Sequence, residues 1–262
     1  MAPERDLMEG RDAPADLWVE TPSGKGVSDE NFPVASRLIA PHLRPHVLAF
    51  YDFVRAADDI ADNPSLDPDD KLARLDQMEA SLQIDGPLTK PRRLAETFAA
   101  MGMDDCHARA MLSAFRQDAT QQRYSDLAEL WDYCDRSAAP VGLFLVDLHG
   151  EDQLCHDGAA ALSCVLQVLN HIQDCQADFL NMNRVYLPQD MLSAHGADIE
   201  DLRGPAITPS LRAMIDALLD ACAARMGPAR QLVGEIRTRS FAAETQAVVV
   251  LASRLLERLR KQ

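Results

Sequence analysis

The chain has 262 residues, 47% of them hydrophobic, which allows a sizeable buried core and excludes a disordered protein. Aromatic residues are scarce, at 5%, and this favours helices over strands, because strands are enriched in aromatic and β-branched side chains. The formal net charge is −15. A surface this acidic repels a phosphate backbone, so we exclude nucleic acid as a partner.

Residues 1–30 are rich in Pro, Gly and charged side chains, and we predict an N-terminal arm there. The beginning of the chain lacks the apolar stretch of a secretory signal. No segment reaches the roughly 18 consecutive apolar residues that a membrane-spanning helix needs, so we expect none. For residues 31–262 we predict a single all-α domain, a helical bundle with a central cavity.

Helical periodicity, together with prolines and glycines, predicts about ten helices in chain order. The predicted helices begin near residue 31 and then cover 44–61, 68–84, 91–101, 104–122, 126–149, 157–180, 211–237 and 241–260, with turns over 181–210. Within 126–149 we expect Pro140 to kink the helix and Gly142 to let a ligand approach the backbone. An ordinary packing kink is the alternative interpretation of the same residues.

The segment AFYDFVRAADDIAD, residues 49–62, carries an aspartate pair on one helix face. Asp58 and Asp62 are four residues apart, so their carboxylates lie about 6 Å apart and repel each other. Asp59 is rotated from them by roughly 100° and can serve only the flank of such a site. A bound divalent cation would offset the repulsion. A solvated acidic end of a helix is an equally supported interpretation of this segment alone.

A second segment, VLQVLNHIQDCQADFLNMNRVYLP, repeats the four-residue spacing at Asp174 and Asp178. Gln167 and Asn170 precede this pair on a similar face, among apolar neighbours. Buried amides need hydrogen-bond partners, so we predict one polar pocket in an apolar helix. Two such helices supply only oxygen ligands, which suits Mg²⁺ bound together with substrate phosphates and does not suit zinc.

Other metal patterns in the chain are weak. His42 and His46 are four residues apart, but Pro45 interrupts that turn. His171 and Cys175 supply at most half of a zinc site. The six cysteines form no CxxC pair, and we expect buried free thiols in a reducing cytoplasm.

These segments resemble the squalene/phytoene synthase family, and within it the hydroxysqualene synthases of the hopanoid pathway. Three stretches carry the resemblance, SGKGVSDENFPVASRLIAPHLRPHVLAFYDFVRAADDIAD, AFRQDATQQRYSDLAELWDYCDRSAAPVG and LQVLNHIQDCQADFLNMNRVYLPQDML, and they cover most of residues 23–192. The resemblance implies an isoprenoid-synthase-type helical bundle that uses Mg²⁺. It implies conversion of presqualene diphosphate to hydroxysqualene with release of diphosphate. The absence of a dinucleotide-binding motif is consistent with capture of the carbocation by water and not by hydride.

The resemblance also assigns roles by motif position. The metal-binding and catalytic residues would be Asp58, Asp62, Asp174 and Asp178, with Tyr133 facing the reacting centre. The substrate-binding residues would be Arg55, Gln167, Asn170, Arg184, Tyr186, Lys25 and Phe32. Tyr133, Phe50 or Phe53 would stabilise a carbocation through their ring faces.

Three positions depart from the family pattern. Gln173 precedes Asp174 where squalene and phytoene synthases usually have Arg, and this favours the hydroxysqualene branch. Ser28 occupies a place where several relatives have His, and Leu143 a place where this branch would have Arg. These last two departures put substrate contacts near the pocket in doubt.

Two other functions stay open at this point. The first is a head-to-head prenyl transferase that makes presqualene diphosphate, squalene or phytoene from two prenyl diphosphates. The second belongs to another class, a non-catalytic assembly factor of the same fold or an acidic helical interaction domain. An assembly factor would be expected to lose motif aspartates, and this chain keeps all four.

The end of the chain is basic in an otherwise acidic protein. From Arg225 to Gln262 there are eight basic and three acidic residues, a local charge of +5. We expect a solvated helix face in a cytoplasmic protein, and peripheral contact with the inner face of the membrane is the alternative. The resemblance further implies functional association with other enzymes of the squalene pathway.

Overall fold

From Arg44 onward the chain folds into ten α-helices and one short 3-10 helix. The α-helices are α1 (Arg44–Asp62), α2 (Pro68–Ala80), α3 (Thr89–Met101), α4 (Cys106–Thr120), α5 (Leu127–Ser137), α6 (Ala139–Leu148), α7 (Cys155–Met182), α8 (Gln189–Ala194), α9 (Pro209–Glu235) and α10 (Arg239–Leu259), and the 3-10 helix is Ile199–Arg203. This computed structural model describes residues 16, 19–24 and 36–261. Within these ranges the only β pairing is an isolated bridge between Arg123 and Val185. The predicted all-α class is confirmed.

Two large apolar clusters and a smaller third one form the core of the described residues. One gathers buried side chains mainly from α1 to α4, and the other gathers those of α5, α7, α9 and α10. The long helices α7 and α9 pack along each other in the second cluster. Phe50 and Phe115 of the first cluster and Tyr133 and Leu162 of the second line the same cavity. The cavity therefore lies between the two halves of the core.

Several helix bounds differ from the prediction. The predicted helix 126–149 is divided at Ala138 into α5 and α6, so the expected kink is a full break. Pro140 lies in the first turn of α6, where the missing N–H of proline is not needed. Helix α2 ends at Ala80 and not at 84, because the Ser81 hydroxyl bonds the Gln77 carbonyl at 2.8 Å and the chain turns.

The predicted turn region 181–210 contains α8 and the 3-10 helix, which the prediction missed. Both elements are short, and each places one buried leucine, Leu192 and Leu202, against the second cluster. Elements this short have too few apolar positions to show a helical period in sequence. Tertiary packing, and not local sequence, therefore determines where these two short helices form.

The glycine at 142 is required by helix packing. A Cβ at Gly142 would lie 2.6 Å from the Ser163 hydroxyl and 2.8 Å from the Ala159 carbonyl, where α6 crosses α7. Gly142 also lines the cavity. Close approach of the two helices thus gives this glycine a structural reason beyond the predicted approach of a ligand.

We expect Gly142→Ala to lower the free energy of unfolding by about 1–3 kcal/mol, because the added methyl group overlaps backbone that has little room to move. Urea denaturation measures this change. Gly227→Ala on α9 is the matched control, since a Cβ there meets nothing within 4 Å. The control should be neutral or stabilising by up to about 1 kcal/mol, from helix propensity. Equal effects of both substitutions would contradict the packing argument.

All six cysteines are free, and four of them are buried, as expected. Cys106 is the exposed exception.

Within the described ranges, no helix is both long enough and apolar enough to cross a membrane. The described part of the predicted N-terminal arm, residues 16 and 19–24, contacts the bundle: Asp16 accepts hydrogen bonds from Thr89, and Val19 is buried against the first cluster. The boundary at residue 30 stays a prediction.

Candidate active site

One face of α7 changes along its length from small and apolar to acidic. The α7 residues that line the cavity are, in order, Ala159, Leu162, Ser163, Leu166, Gln167, Asn170, His171, Asp174, Asp178 and Met182. The list contains three adjacent pairs (162/163, 166/167 and 170/171), and otherwise successive members are three or four residues apart. They therefore form a single helical face. At 1.5 Å per residue, this face extends about 28 Å from Ala159 to Asp178.

Helix α1 shows the same gradient in the same direction. Its cavity-lining residues are, in order, Val47, Phe50, Tyr51, Val54, Arg55, Asp58 and Asp62. Arg184, six residues after Asp178, bonds Asp62, so the charged ends of α1 and α7 lie together. They line one end of a cavity of about 420 Å³, and mostly apolar side chains line the remainder. Asp174 is exposed and Asp58, Asp62 and Asp178 are half-buried, so the acidic end opens to solvent.

The structure brings most of the predicted site residues together. The following all line this cavity: Asp58, Asp62, Asp174, Asp178, Tyr133, Arg55, Gln167, Asn170, Arg184 and Tyr186. Lys25, Phe32 and Ser28 lie outside the described residues. Phe50 lines the cavity and stacks on Phe144, whereas Phe53 is completely buried in the core away from it. The suggestion that Phe53 faces a carbocation was therefore wrong.

Arg184 is the central cation of the acidic end. Its guanidinium donates to the Asp62 carboxylate at 2.7 Å, to the Asp118 backbone carbonyl at 3.0 Å and to the Tyr186 hydroxyl at 3.3 Å. The Arg184 side chain is 5% exposed. A charge buried to this degree is stable only with such partners, so Arg184 fixes the relative positions of α1, α4 and the segment after α7.

A left-handed turn brings Arg184 to this place. Helix α7 ends at Asn183, whose φ of 53° falls in the region that Asn tolerates better than other side chains with a Cβ. Arg123 donates to the Asn183 side-chain oxygen at 2.7 Å and holds the turn. Val185 then bonds the Gln122 carbonyl at 3.0 Å, which directs the chain back under the cavity.

Sequence reasoning missed Asp118. This α4 carboxylate is buried, and its two oxygens accept hydrogen bonds from Tyr133 at 2.7 Å and Tyr186 at 3.0 Å. It lines the cavity together with Met111 and Phe115. These three residues share one helix face, so the available signal was a lone acidic residue on an otherwise apolar face.

Two carboxyl groups at this end are harder to ionise than usual. Burial raises the pKa of Asp58, the nearby Asp62 raises it further, and Arg55 only partly opposes them. Burial also raises the pKa of Asp118 to about 6, against the opposing charge of Arg184. Crowded carboxylates of this kind favour binding of a cation, which removes their mutual repulsion.

The neighbouring Asp59 has a different function, as its rotation on the helix predicted. Its carboxylate accepts hydrogen bonds from the Ser23 hydroxyl at 2.7 Å and the Ser23 amide at 3.2 Å. Its backbone carbonyl accepts one from the Thr21 hydroxyl at 3.0 Å. Asp59 is 8% exposed and does not line the cavity. It anchors the segment before residue 25 to α1.

The oxygen-bearing side chains of the cavity suit a hard divalent cation that is also bound by water and substrate phosphates. Four carboxylates from two helices face one cavity, together with amide oxygens of Gln167 and Asn170. Among the described residues, no three His, Cys, Asp or Glu side chains are grouped closely enough to hold a metal ion by themselves. Mg²⁺ commonly binds through one or two carboxylates and completes its shell with water and substrate phosphates. The residues present therefore fit Mg²⁺ bound with an anionic substrate, and not a closed structural metal site.

Comparison with known proteins identifies the family to which this helical bundle belongs. The sequence profile of the squalene/phytoene synthase family matches residues 26–262. The chain belongs to this family. The resemblance that the acidic motifs suggested is thereby confirmed, and the chain is an isoprenoid synthase.

Among its relatives in the family, the chain is similar to proteins named hydroxysqualene synthase. The hydroxysqualene synthase of Rhodopseudomonas palustris is 44% identical over 243 residues, which cover 92% of this chain and 83% of that protein. The hydroxysqualene synthase of Zymomonas mobilis is 39% identical, over 91% of this chain and 82% of that protein. The crystal structure of a squalene synthase from Alicyclobacillus acidocaldarius matches with a TM-score of 0.80 at 30% identity, over 90% of both chains. Family members act on prenyl diphosphates.

Proposed function

We propose that this isoprenoid synthase converts presqualene diphosphate to hydroxysqualene and diphosphate, with Mg²⁺ as its cofactor. One observation carries the proposal: two helices place four aspartates at one end of a long cavity that is mostly apolar elsewhere. A prenyl diphosphate has a charged head group and a long hydrocarbon tail, which would match the acidic end and the mostly apolar remainder of this cavity. The relatives named hydroxysqualene synthase support this choice of substrate and product.

Asp58, Asp62, Asp174 and Asp178 would hold the metal. Bound Mg²⁺ supplies positive charge that stabilises the departing diphosphate. In the structure, arginines pair with the α1 aspartates, Arg55 with Asp58 and Arg184 with Asp62.

Arg55 and Arg184 would bind the diphosphate itself. Guanidinium groups match the geometry of phosphate oxygens and keep their charge when buried. Both side chains line the cavity beside the aspartates, so both would contribute positive charge to the same anion. Asn170 and Gln167 lie about one and two turns before Asp174 on α7, toward the apolar part, where they would border the carbon bearing the leaving group.

Ionisation breaks the bond between this carbon and the diphosphate oxygen, and the electron pair leaves with the diphosphate. The resulting carbocation lies among apolar side chains that exclude bulk water. The ring of Tyr133 faces the cavity and stabilises positive charge through its π electrons. One water then supplies the oxygen of the alcohol. No oxidant or reductant is consumed.

Incubation of the purified protein with presqualene diphosphate and Mg²⁺, followed by mass spectrometry of extracted lipids, tests the proposal. We expect hydroxysqualene and an equal amount of diphosphate. Farnesyl diphosphate alone should be left unchanged. Formation of presqualene diphosphate or phytoene from prenyl diphosphates would instead establish the head-to-head transferase. Failure to process either substrate would support a non-catalytic protein.

The exposed face of α10 supports the further proposal that the protein, located in the cytoplasm, contacts the anionic inner surface of the membrane. Val250 and Leu251 are exposed large apolar residues on this helix, at 40% and 41%. Arg254 and Arg258 follow on the same face and are exposed. Apolar side chains beside a basic pair complement an anionic lipid surface. This position would also bring the protein near other squalene-pathway enzymes.

We expect the double substitution Arg254→Glu and Arg258→Glu to abolish binding to vesicles that contain phosphatidylglycerol, because each basic residue near an anionic surface contributes about 1 kcal/mol. Vesicle flotation, with pure phosphatidylcholine vesicles as comparison, measures the binding. Ile84→Asp removes an exposed apolar residue elsewhere, at 63% exposure, and should leave binding unchanged. Equal flotation of the native and doubly substituted proteins would reject the contact.

A further inference from the structure

His171 is a buried polar side chain in the cavity that the steps above do not use. It lies on α7, is 7% exposed and lines the cavity. Its ring stacks on the Tyr186 ring with 3.6 Å between centroids and 16° between planes. Among the described residues, the His171 Nε2 atom has no hydrogen-bond partner. A buried polar atom without a partner is costly, so its presence calls for a ligand or an ordered water.

The surroundings of His171 keep its imidazole neutral. Burial, and then the positive charge of Arg184, lower the pKa of His171 to about 3. The tilted ring of Tyr133 lies 6.0 Å away, centroid to centroid. A neutral imidazole with Nδ1 protonated offers Nε2 as a hydrogen-bond acceptor. In that tautomer the buried ring would present a lone pair that no described residue uses.

Other polar groups of the cavity fit this role less well. The Ser137 Oγ atom also lines the cavity without a partner among the described residues, but a neutral hydroxyl is a far weaker proton acceptor than an imidazole nitrogen. Both carboxylate oxygens of Asp118 already accept hydrogen bonds from tyrosine hydroxyls. The Glu244 Oε2 atom also has no partner within the described residues, but Glu244 lies on α10 beside Phe241, which packs against Ala159 at the apolar end. Ala159 is twelve residues before His171, a distance of about 18 Å along α7.

His171 stands where the charged and apolar parts of the cavity meet. It precedes Asp174 by three residues, nearly one helical turn, so both project from the same side of α7. A carbocation formed by loss of diphosphate begins at this boundary. A water held here would be adjacent to the carbon that loses the leaving group.

We propose that His171 binds the water that captures the carbocation, and that it accepts a proton from this water as the alcohol forms. The proposal rests on the proposed function. The water oxygen forms the new C–O bond with its lone pair, and one of its protons passes to His171 Nε2. The imidazolium then returns this proton to the released diphosphate. Without the base, the carbocation instead loses a proton from an adjacent carbon and gives a hydrocarbon.

The substitution His171→Phe tests this, because it keeps an aromatic ring against Tyr186 and removes both nitrogens. Because ionisation of the diphosphate precedes capture by water, the decisive measurement is the product ratio and not the rate of substrate consumption. The ratio of hydroxysqualene to hydrocarbon products should fall on the order of a hundredfold, the size of a general-base contribution. His171→Gln, which restores an acceptor, should recover part of the alcohol. An unchanged product ratio in His171→Phe overturns the proposal.

His149→Phe is the matched control. His149 also stacks on an aromatic ring, Phe241 at 4.1 Å, and also has a buried Nε2 without a partner among the described residues, but it does not line the cavity. Its product ratio should equal that of the native protein, and a shift like that of His171→Phe would refute a specific role. Circular dichroism establishes that each variant is folded.

A second measurement needs no variant. In D₂O the native protein should give less alcohol relative to hydrocarbon, since proton transfer accompanies capture, and an unchanged ratio counts against the base. In H₂¹⁸O, the label should enter hydroxysqualene. If native protein releases no diphosphate from presqualene diphosphate, the proposed function has failed. If it releases diphosphate and His171→Phe still makes the alcohol, the role of His171 alone has failed.

Discussion

Asp58→Asn and Asp174→Asn should each lower kcat by about a hundredfold to a thousandfold, the effect of losing one strong electrostatic contact to a leaving group. Each substitution removes a carboxylate from one helix while it preserves shape. Because the two residues come from α1 and α7, equal losses would show that both helices serve one reaction. Steady-state release of diphosphate from presqualene diphosphate at saturating Mg²⁺ measures the effect.

Asp52→Asn provides the control for this pair. Asp52 lies on α1, does not line the cavity and pairs at the surface with Arg93 at 3.4 Å. Its substitution should leave kcat unchanged. Near-native turnover by both Asp58→Asn and Asp174→Asn would remove the metal assignment.

The stability of Asp58→Asn should move in the opposite direction from its activity. Because the pKa of Asp58 is raised in the folded protein, its ionisation favours the unfolded state. Protonated Asp58 therefore adds to the free energy of unfolding at pH values below the ordinary pKa of aspartate. This contribution is lost as the pH rises through the raised pKa of the folded protein. The neutral Asn avoids this loss, so above neutral pH the variant should melt no lower than the native protein without metal. Such an exchange of stability for function is common at active sites.

Arg184→Ala should lower the free energy of unfolding by about 3–5 kcal/mol, because it leaves the Asp62 carboxylate and the buried Asp118 without their cation. Burial lowers the pKa of Arg184, but Tyr186, Asp118 and Asp62 outweigh burial and raise it overall. The guanidinium is therefore charged at all pH values of interest. Urea denaturation at neutral pH, in the absence of metal, measures the loss.

Arg93→Ala is the comparison for this prediction. Arg93 is 49% exposed and pairs only loosely with Asp52, so its loss should change stability by about 1 kcal/mol or less. If Arg184→Ala costs no more than Arg93→Ala, the guanidinium does not hold the acidic end together.

The aspartate pairs were predictable from sequence because helical geometry relates them locally. Residues four apart share a helix face whatever the tertiary structure, so Asp58 with Asp62 and Asp174 with Asp178 could be paired without coordinates. That the two pairs form one site was a hypothesis from their matching oxygen ligands, and the family resemblance supported it. The sequence alone contains no distance between α1 and α7.

Asp118 could not be found in the same way. It has no acidic partner on its helix, and its importance comes from Tyr133, Tyr186 and Arg184, which approach it from other parts of the chain. The same holds for Gly142, whose requirement depends on where α7 crosses α6. Long-range contacts of this kind leave little trace in a local pattern.

The interpretation of His171 changed for a related reason. In sequence it stood as half of a weak zinc pair with Cys175. In the structure it stacks on Tyr186 instead, and no metal-binding group forms among the described residues. A histidine on a helix gains its chemistry from what packs against it, which the spacing to one neighbour does not reveal.

Isothermal titration of the protein with inorganic diphosphate, with and without Mg²⁺, tests most directly whether the four carboxylates hold the leaving group through metal. The account predicts binding only when Mg²⁺ is present, and loss of that binding in both Asp58→Asn and Asp174→Asn. Equally tight binding in the presence of a metal chelator would contradict it.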